Sequence, residues 1–287
     1  MKSSEKRQYY LLLIPVTVAV ILLLFVPLVY VLYTSLTDFS LGVSSSFIGI
    51  QNYLELLFDD RMWNSLRVTA IFVFFAVLFQ VGIGFMLALL LSKQYRIFKS
   101  FRAFFIIPML VPPIVSAIIW KIMFIPHVPG VPYFLSLVGI PKTNWLQSPL
   151  LAMTIVVIAA VWQWTPFVML ISLAGLEGLP DEPFESAAID GASNWQIFRH
   201  ITVPMMRPTL VFLVVLRMIE SLKVFPLIYV ITQGGPGTST EPLNYYAYIT
   251  AFRNMEFGYS ATLLVALLLI AIAIGFFGQS LTSKMSY

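Results

Sequence analysis

Arg217, Glu220 and Lys223 interrupt an apolar run at intervals of three and are the first residues in this sequence able to do chemistry. On a helix that spacing puts all three charges within an arc of about 120°. A charge facing hydrocarbon costs about 2.5–3.5 kcal/mol, so the three must face protein or a water-filled cavity. Glu220 can pair with either cation at i±3. Two readings stay open. The charges form an internal ion-pair ladder that packs their helix, or they line a cavity where polar groups bind a solute. An intramembrane catalytic centre would need a nucleophile with its base, or a metal cluster. The chain has no Cys, and His127 and His200 both lie outside the apolar runs. No Gly-x-x-x-x-Gly-Lys-Ser/Thr stretch is present to cradle a phosphate.

A second candidate is the polar stretch 179–208. Asp181 and Glu182 suit a helix N-terminus, where negative charge is favoured, and Pro183 is tolerated in a first turn. Glu185 to Ile189 favours helix, and Gly191 permits a tight or left-handed turn. Ser193 with Gln196 three residues on is a capping box that starts a second helix. Pro204 is expected to end that helix and Pro208 to open the next apolar run. Ser186, Ala187, Ala188 and Ala192 leave a smooth ridge able to sit in another protein's groove. On spacing alone, a plain connector accounts for this stretch equally well.

The elements that must position these groups are spans. Of 287 residues, 59% are hydrophobic and 10% charged, and the mean hydropathy is +0.90. A soluble domain carries about 25% charged residues. Six runs of at least about 20 apolar residues predict an all-α membrane protein of six transmembrane helices: 11–36, 68–92, 103–124, 150–173, 209–232 and 261–281. The first run is longer than the roughly 7–15 apolar residues of a signal peptide and reads as a retained helix. Lys2, Lys6, Arg7, Lys93, Arg96, Lys99, Arg102, Arg199, Arg207 and Lys284 fall on one side. Only Arg61, Arg67, Lys142 and Arg253 fall in the opposite loops, so both termini are expected in the cytoplasm. Lys121, near the outer end of the third run, snorkels to the interface. The outer loops are short and no repeat appears, so residues 1–287 are expected to form a single membrane domain. The net charge of +4 comes without a Lys/Arg-rich run, which argues against nucleic acid.

Glu185-Ser-Ala-Ala-Ile-Asp190-Gly191-Ala192, followed by Phe198, Ile201, Pro204 and Pro208, resembles the "EAA" signature of binding-protein-dependent ABC importer permeases, with Ser186 where Ala is usual. Lys223 to Pro236, with Tyr246, Tyr248, Ala251-Phe252 and Gly258 to Ala261, is similar to sugar importer permeases of the MalF/UgpA type. Trp120 to Phe124 and Trp162 to Phe167 share that likeness. It covers roughly residues 100 to 280. The usual Asn after Gly130 is absent, and no large periplasmic insertion interrupts the chain.

The resemblance implies a type I ABC importer permease fold in a bacterial or archaeal cytoplasmic membrane. It makes 179–208 a coupling loop to an ATPase, with Glu185 as polar contact, Gly191 as turn, Asp190 as hydrogen bonder, and Ala188 and Ala192 on the docked ridge. It implies substrate contacts from spans four and five: Trp162, Trp164, Phe167, Arg217, Glu220, Ser221 and Val224. Aromatic faces suit the C–H faces of sugars, although interfacial anchoring is the other reading for the tryptophans. No cofactor is expected on this chain itself, and ATP and Mg would sit on partners. Those partners are two ABC ATPase subunits, a second MalG-like permease making a heterodimer, and an extracytoplasmic solute-binding protein. Glycerol phosphate is the alternative cargo. An ion-coupled secondary transporter is the alternative class, but the repeat symmetry and paired broken helices it would show are not found.

Overall fold

The structure is a computed structural model that describes residues 13–42, 44–92, 104–125, 128–139 and 144–283. Lys2, Lys6, Arg7, Lys93, Arg96, Lys99, Arg102, His127, Lys142 and Lys284 lie outside the described residues. The described chain is helical, with two isolated β-bridges, Thr37 with Phe47 and Ser40 with Glu256. In order the helices are α1 (Leu13–Thr34), α2 (Gln51–Phe58), α3 (Asp60–Ser92), α4 (Phe104–Leu110), α5 (Pro113–Met123), α6 (Val131–Leu137), α7 (Pro149–Glu177), α8 (Glu182–Ile189), α9 (Asn194–Ser221), α10 (Phe225–Ile231), α11 (Leu243–Phe252) and α12 (Phe257–Ser283). Five helices, α1, α3, α7, α9 and α12, are long and apolar enough to cross a membrane, and α4 with α5, bent by 103° at their break, count as a sixth span if the pair crosses as one.

Three spans differ from the pattern read in the sequence, and each difference has a local cause. The run 103–124 breaks at Val111-Pro112-Pro113, because each proline lacks an N–H and the residue before a proline avoids helical backbone. The second span begins at Asp60, so Arg61 and Arg67 sit on the first two turns of α3 instead of in a loop. The fifth span is displaced toward the N-terminus. Instead of running 209–232, α9 is unbroken from Asn194 to Ser221, and α10 follows after Leu222-Lys223-Val224. Pro204 does not end the helix. A π-helical turn at Phe198–Thr202 precedes it, widening the backbone where the proline ring would otherwise meet the carbonyl of His200. The turn Ile21–Phe25 stands in the same relation to Pro27 in α1.

The chain divides into two compact units. In the first (1–62 and 246–269), short polar contacts hold the helix ends. Asn52 donates to the carbonyls of Ser35 and Thr37 at 3.0 and 2.9 Å, Thr262 donates to Ser35 O at 3.2 Å, and Ser260 donates to Ala247 O at 2.7 Å. In the second (63–245 and 270–287), small residues let spans approach closely, which is how helices pack where lipid gives them no hydrophobic driving force. Ala76, Ala88, Ala152, Ala159 and Ala160 are buried. A Cβ on Gly84 would stand 2.7 Å from the Val168 side chain, so only glycine lets α3 lie this near α7. Ala88, Leu91, Met169 and Leu173 form a packed cluster between the same two helices.

Candidate functional site

Two places in the second unit hold chemistry. The first is a cavity of about 190 Å³ beside the last turn of α9. Trp164, Arg217, Glu220, Ser221 and Val224 line it, together with Gln80, Gln163 and Lys223. Trp162 and Phe167 are not among the lining residues: Trp162 packs edge-on against Trp120, with ring centres 6.0 Å apart. The three charges of α9 and the turn after it take two different partners. Arg217 is only 2% exposed; its Nε donates to Oε1 of Gln80 at 2.9 Å and its guanidinium lies 4.7 Å from the centre of the Trp164 ring. Among the described residues no carboxylate lies within ion-pairing distance of it. Glu220 instead pairs with Lys223 at 2.9 Å, on the more open side. A continuous ladder of three charges is therefore not what forms.

Gln80 and Gln163 are functional candidates that the sequence reading passed over. Their signal was available: each is an uncharged amide inside a strongly apolar span. Gln80 Nε2 donates to Ala160 O at 3.1 Å, and Gln163 Nε2 donates to Val111 O at 2.9 Å, capping the carbonyl freed by the break between α4 and α5. Among the described residues, the buried Gln163 Oε1 and Ser221 Oγ have no hydrogen-bond partner. Unsatisfied buried acceptors and hydroxyls are rare, and here they line a cavity beside a guanidinium and an indole. Such an arrangement can hydrogen-bond a polyhydroxylated solute while an aromatic face covers its C–H surface.

The second place is the pair α8 and the start of α9. The helix α8 starts with Asp181 and Pro183 as expected and ends in a Schellman motif: Gly191 N–H donates to Ala188 O at 3.2 Å and Ala192 N–H to Ala187 O at 2.9 Å. Gly191 supplies the left-handed residue, with φ at +75°. The Ser193–Gln196 capping box is formed, with Ser193 N–H donating to Gln196 Oε1 at 2.8 Å and Gln196 N–H to Ser193 Oγ at 3.4 Å. Glu185, Ala188, Asp190 and Gly191 are exposed and Ala192 is half-buried. Ile189 and Trp195, 87% and 64% exposed, flank the turn. These two large apolar groups add to the small-residue ridge, and the sequence reading did not single them out. Phe198 fastens the pair to the bundle by stacking on Phe85 of α3, with ring centres 6.4 Å apart.

Spanning helices around a small polar cavity, with a capped helix pair exposed at one end, make up a transport subunit. Residues 80–287 match the family described as "Binding-protein-dependent transport system inner membrane component", and the chain belongs to that family. It is a multi-pass inner-membrane permease subunit of ABC importers, in which ATP hydrolysis is the work of partner subunits. It is 36% identical over 249 residues to the "Trehalose/maltose transport system permease protein MalF" of Thermococcus litoralis, covering 86% of this chain and 84% of that one. To the "sn-glycerol-3-phosphate transport system permease protein UgpA" of Agrobacterium fabrum it is 34% identical over 271 residues, covering 92% and 91%. The fold matches a chain of "a bacterial ABC transporter involved in the import of the acidic polysaccharide alginate" with a TM-score of 0.86 and 20% identity, over 99% of this chain and 98% of that one. The same kind of transporter, solved with a pentasaccharide-bound periplasmic protein, matches with a TM-score of 0.85.

Proposed function

We propose that this chain, acting as one permease domain, forms half of the path for a carbohydrate delivered by an extracytoplasmic binding protein, and that 179–208 is the loop through which two ATPase subunits drive it. One observation carries the reading. The helix α9 runs unbroken from the exposed capping box at Asn194 to the cavity at Arg217 and Ser221. At 1.5 Å per residue that is a lever of about 35–40 Å. A push on the loop therefore has a continuous element through which to reach the groups that would hold solute. ATP and Mg bind on the partner subunits.

Six spans are a thin wall for a solute path, so a second, MalG-like permease completes it in this reading; the likeness of residues 223–236 to MalF-type permeases supports such a pairing. The naming of relatives for trehalose/maltose transport supports a neutral sugar. A second reading, glycerol phosphate, draws on Arg217, which bonds a neutral amide and whose charge suits an anion, and on the UgpA relatives.

Uptake by the assembled importer, measured with ATP abolished and the proton gradient intact, tests the drive. It should stop, and persisting uptake would make the chain a secondary transporter. The ligand that stays with the co-purified binding protein tests the cargo: a sugar supports the first reading, and glycerol phosphate the second.

A further inference from the structure

The first unit carries an apolar surface that the transport site does not use. Leu54, Leu57 and Phe58 share one face of α2, and Ile50 at its N-cap stands at the start of the same face, the four spaced at i, i+4, i+7 and i+8. They are 65%, 51%, 56% and 86% exposed. The opposite face is fixed to the protein. Asn52, buried, donates to Ser35 O and Thr37 O, and the Tyr53 hydroxyl lies 2.7 Å from Ser35 Oγ. These contacts set the rotation of the helix, so the four apolar side chains cannot turn inward. Gln51 and Glu55 border the face and are exposed, which makes α2 amphipathic.

The depth of α2 is fixed by the same bonds. Ser35 is the residue at which α1 ends, on the side opposite the basic N-terminus. The 22 residues of α1 span about 33 Å, close to the roughly 30 Å of a bilayer's hydrocarbon core. A helix bonded through its first turn to Ser35 thus starts where α1 leaves the hydrocarbon. An amphipathic helix at that level, with its apolar face turned outward, meets the boundary between headgroups and acyl chains. The face is made of Ile, Leu and Phe, the kind of apolar side chains that an interfacial helix buries at the boundary between headgroups and acyl chains.

We infer that α2 is an in-plane membrane anchor, whose Ile50, Leu54, Leu57 and Phe58 enter the outer leaflet's interface and bind lipid instead of a protein partner. Such an anchor holds the corner between α1 and α2 at constant depth while other helices move. Nitroxide labels on Leu54→Cys, Leu57→Cys, Phe58→Cys and Glu55→Cys, one at a time, in the complete importer in lipid nanodiscs, test this. The chain itself has no cysteine, so an importer built on the unsubstituted chain gives the background from its partners. Collisional relaxation by oxygen should exceed that by a water-soluble nickel chelate at positions 54, 57 and 58, with the order reversed at 55. Low access to both reagents at 54, 57 and 58 would mean that a protein covers the face. Nickel access exceeding oxygen access at all four would mean that water does. Either result overturns the anchor. If the label at 58 disrupts assembly, 54 and 57 report on the same face.

Discussion

Arg217 Nε donates to Gln80 Oε1 at 2.9 Å, and the same amide donates onward to Ala160 O at 3.1 Å. One glutamine thus ties α9 to α3 and α3 to α7. It also gives the buried guanidinium the acceptor that a carboxylate would otherwise have to provide. Arg217 is both a brace and a cavity wall, whereas Glu220 and Lys223 neutralise each other on the open side.

Gln80→Leu should destabilise the assembled importer, because a hydrogen bond to a charged group is worth about 1.5–3 kcal/mol and its loss leaves Arg217 buried without an acceptor. Gln80→Glu keeps an acceptor and should assemble. Thermal unfolding of the solubilised complex measures both. A Gln80→Leu complex that melts with the wild type would remove the brace from the account.

Glu220→Ala and Trp164→Ala should lower solute uptake while leaving the complex assembled. In a three-charge ladder, Glu220→Ala would strand two cations in the membrane. Here the ion pair it breaks is with Lys223, whose side chain is 69% exposed and can reach water, while Arg217 keeps its bond to Gln80. Yield of intact complex and initial uptake rate separate the cases. Normal uptake in both variants would take the cavity out of the path, and loss of assembly in Glu220→Ala would restore the ladder.

A pH dependence follows from Asp59, which caps the start of α3. Burial pushes its carboxyl up. Hydrogen bonds from the Tyr259 and Tyr246 hydroxyls, at 2.6 and 2.7 Å, and from the Met62 and Arg61 N–H groups outweigh that, and it sits below the usual carboxylate range. A carboxyl depressed in the folded state contributes stability that is fully present above its unfolded pKa of about 3.9 and is lost as pH falls through the lower folded value. Tyr246→Phe with Tyr259→Phe raises the folded pKa, and should therefore lower the melting temperature near neutral pH and flatten its fall below about pH 4. Melting temperatures from about pH 3 to 7 would show it. An unchanged acid profile would mean that these hydroxyls do not hold the carboxylate.

Much of this arrangement was legible in the residues, because hydrophobic length and local caps are short-range signals. The Ser193–Gln196 box, the turn at Gly191 and the break after Asp190 are all set by residues within one helical turn. The path of α9 was not legible, since Pro204 reads as a stop unless a π-helical turn opens ahead of it, and that turn is a property of packing. The split of Arg217 from Glu220 was hidden for a similar reason. Its cause is Gln80, 137 residues away in sequence.

Topology can be read with single cysteines, since the chain has none of its own. Asn194→Cys and Asn254→Cys are both at exposed positions. In intact cells an impermeant thiol reagent should label position 254 and spare 194. Labelling at 194 alone would invert the protein in the membrane.

The most direct test of the account is coupling through the loop before α9. Gly191 has φ at +75° and open space around it, so Gly191→Val brings no clash, only backbone strain of about 1–3 kcal/mol at the turn. Glu185→Lys reverses the charge at an exposed position of the ridge. Solute-stimulated ATP hydrolysis and solute uptake should be measured side by side in proteoliposomes holding the complete importer. The account predicts that both variants insert normally but lose ATPase docking, or hydrolyse ATP without matching uptake. Hydrolysis and uptake both at wild-type levels in both variants would contradict it, leaving 179–208 a plain connector.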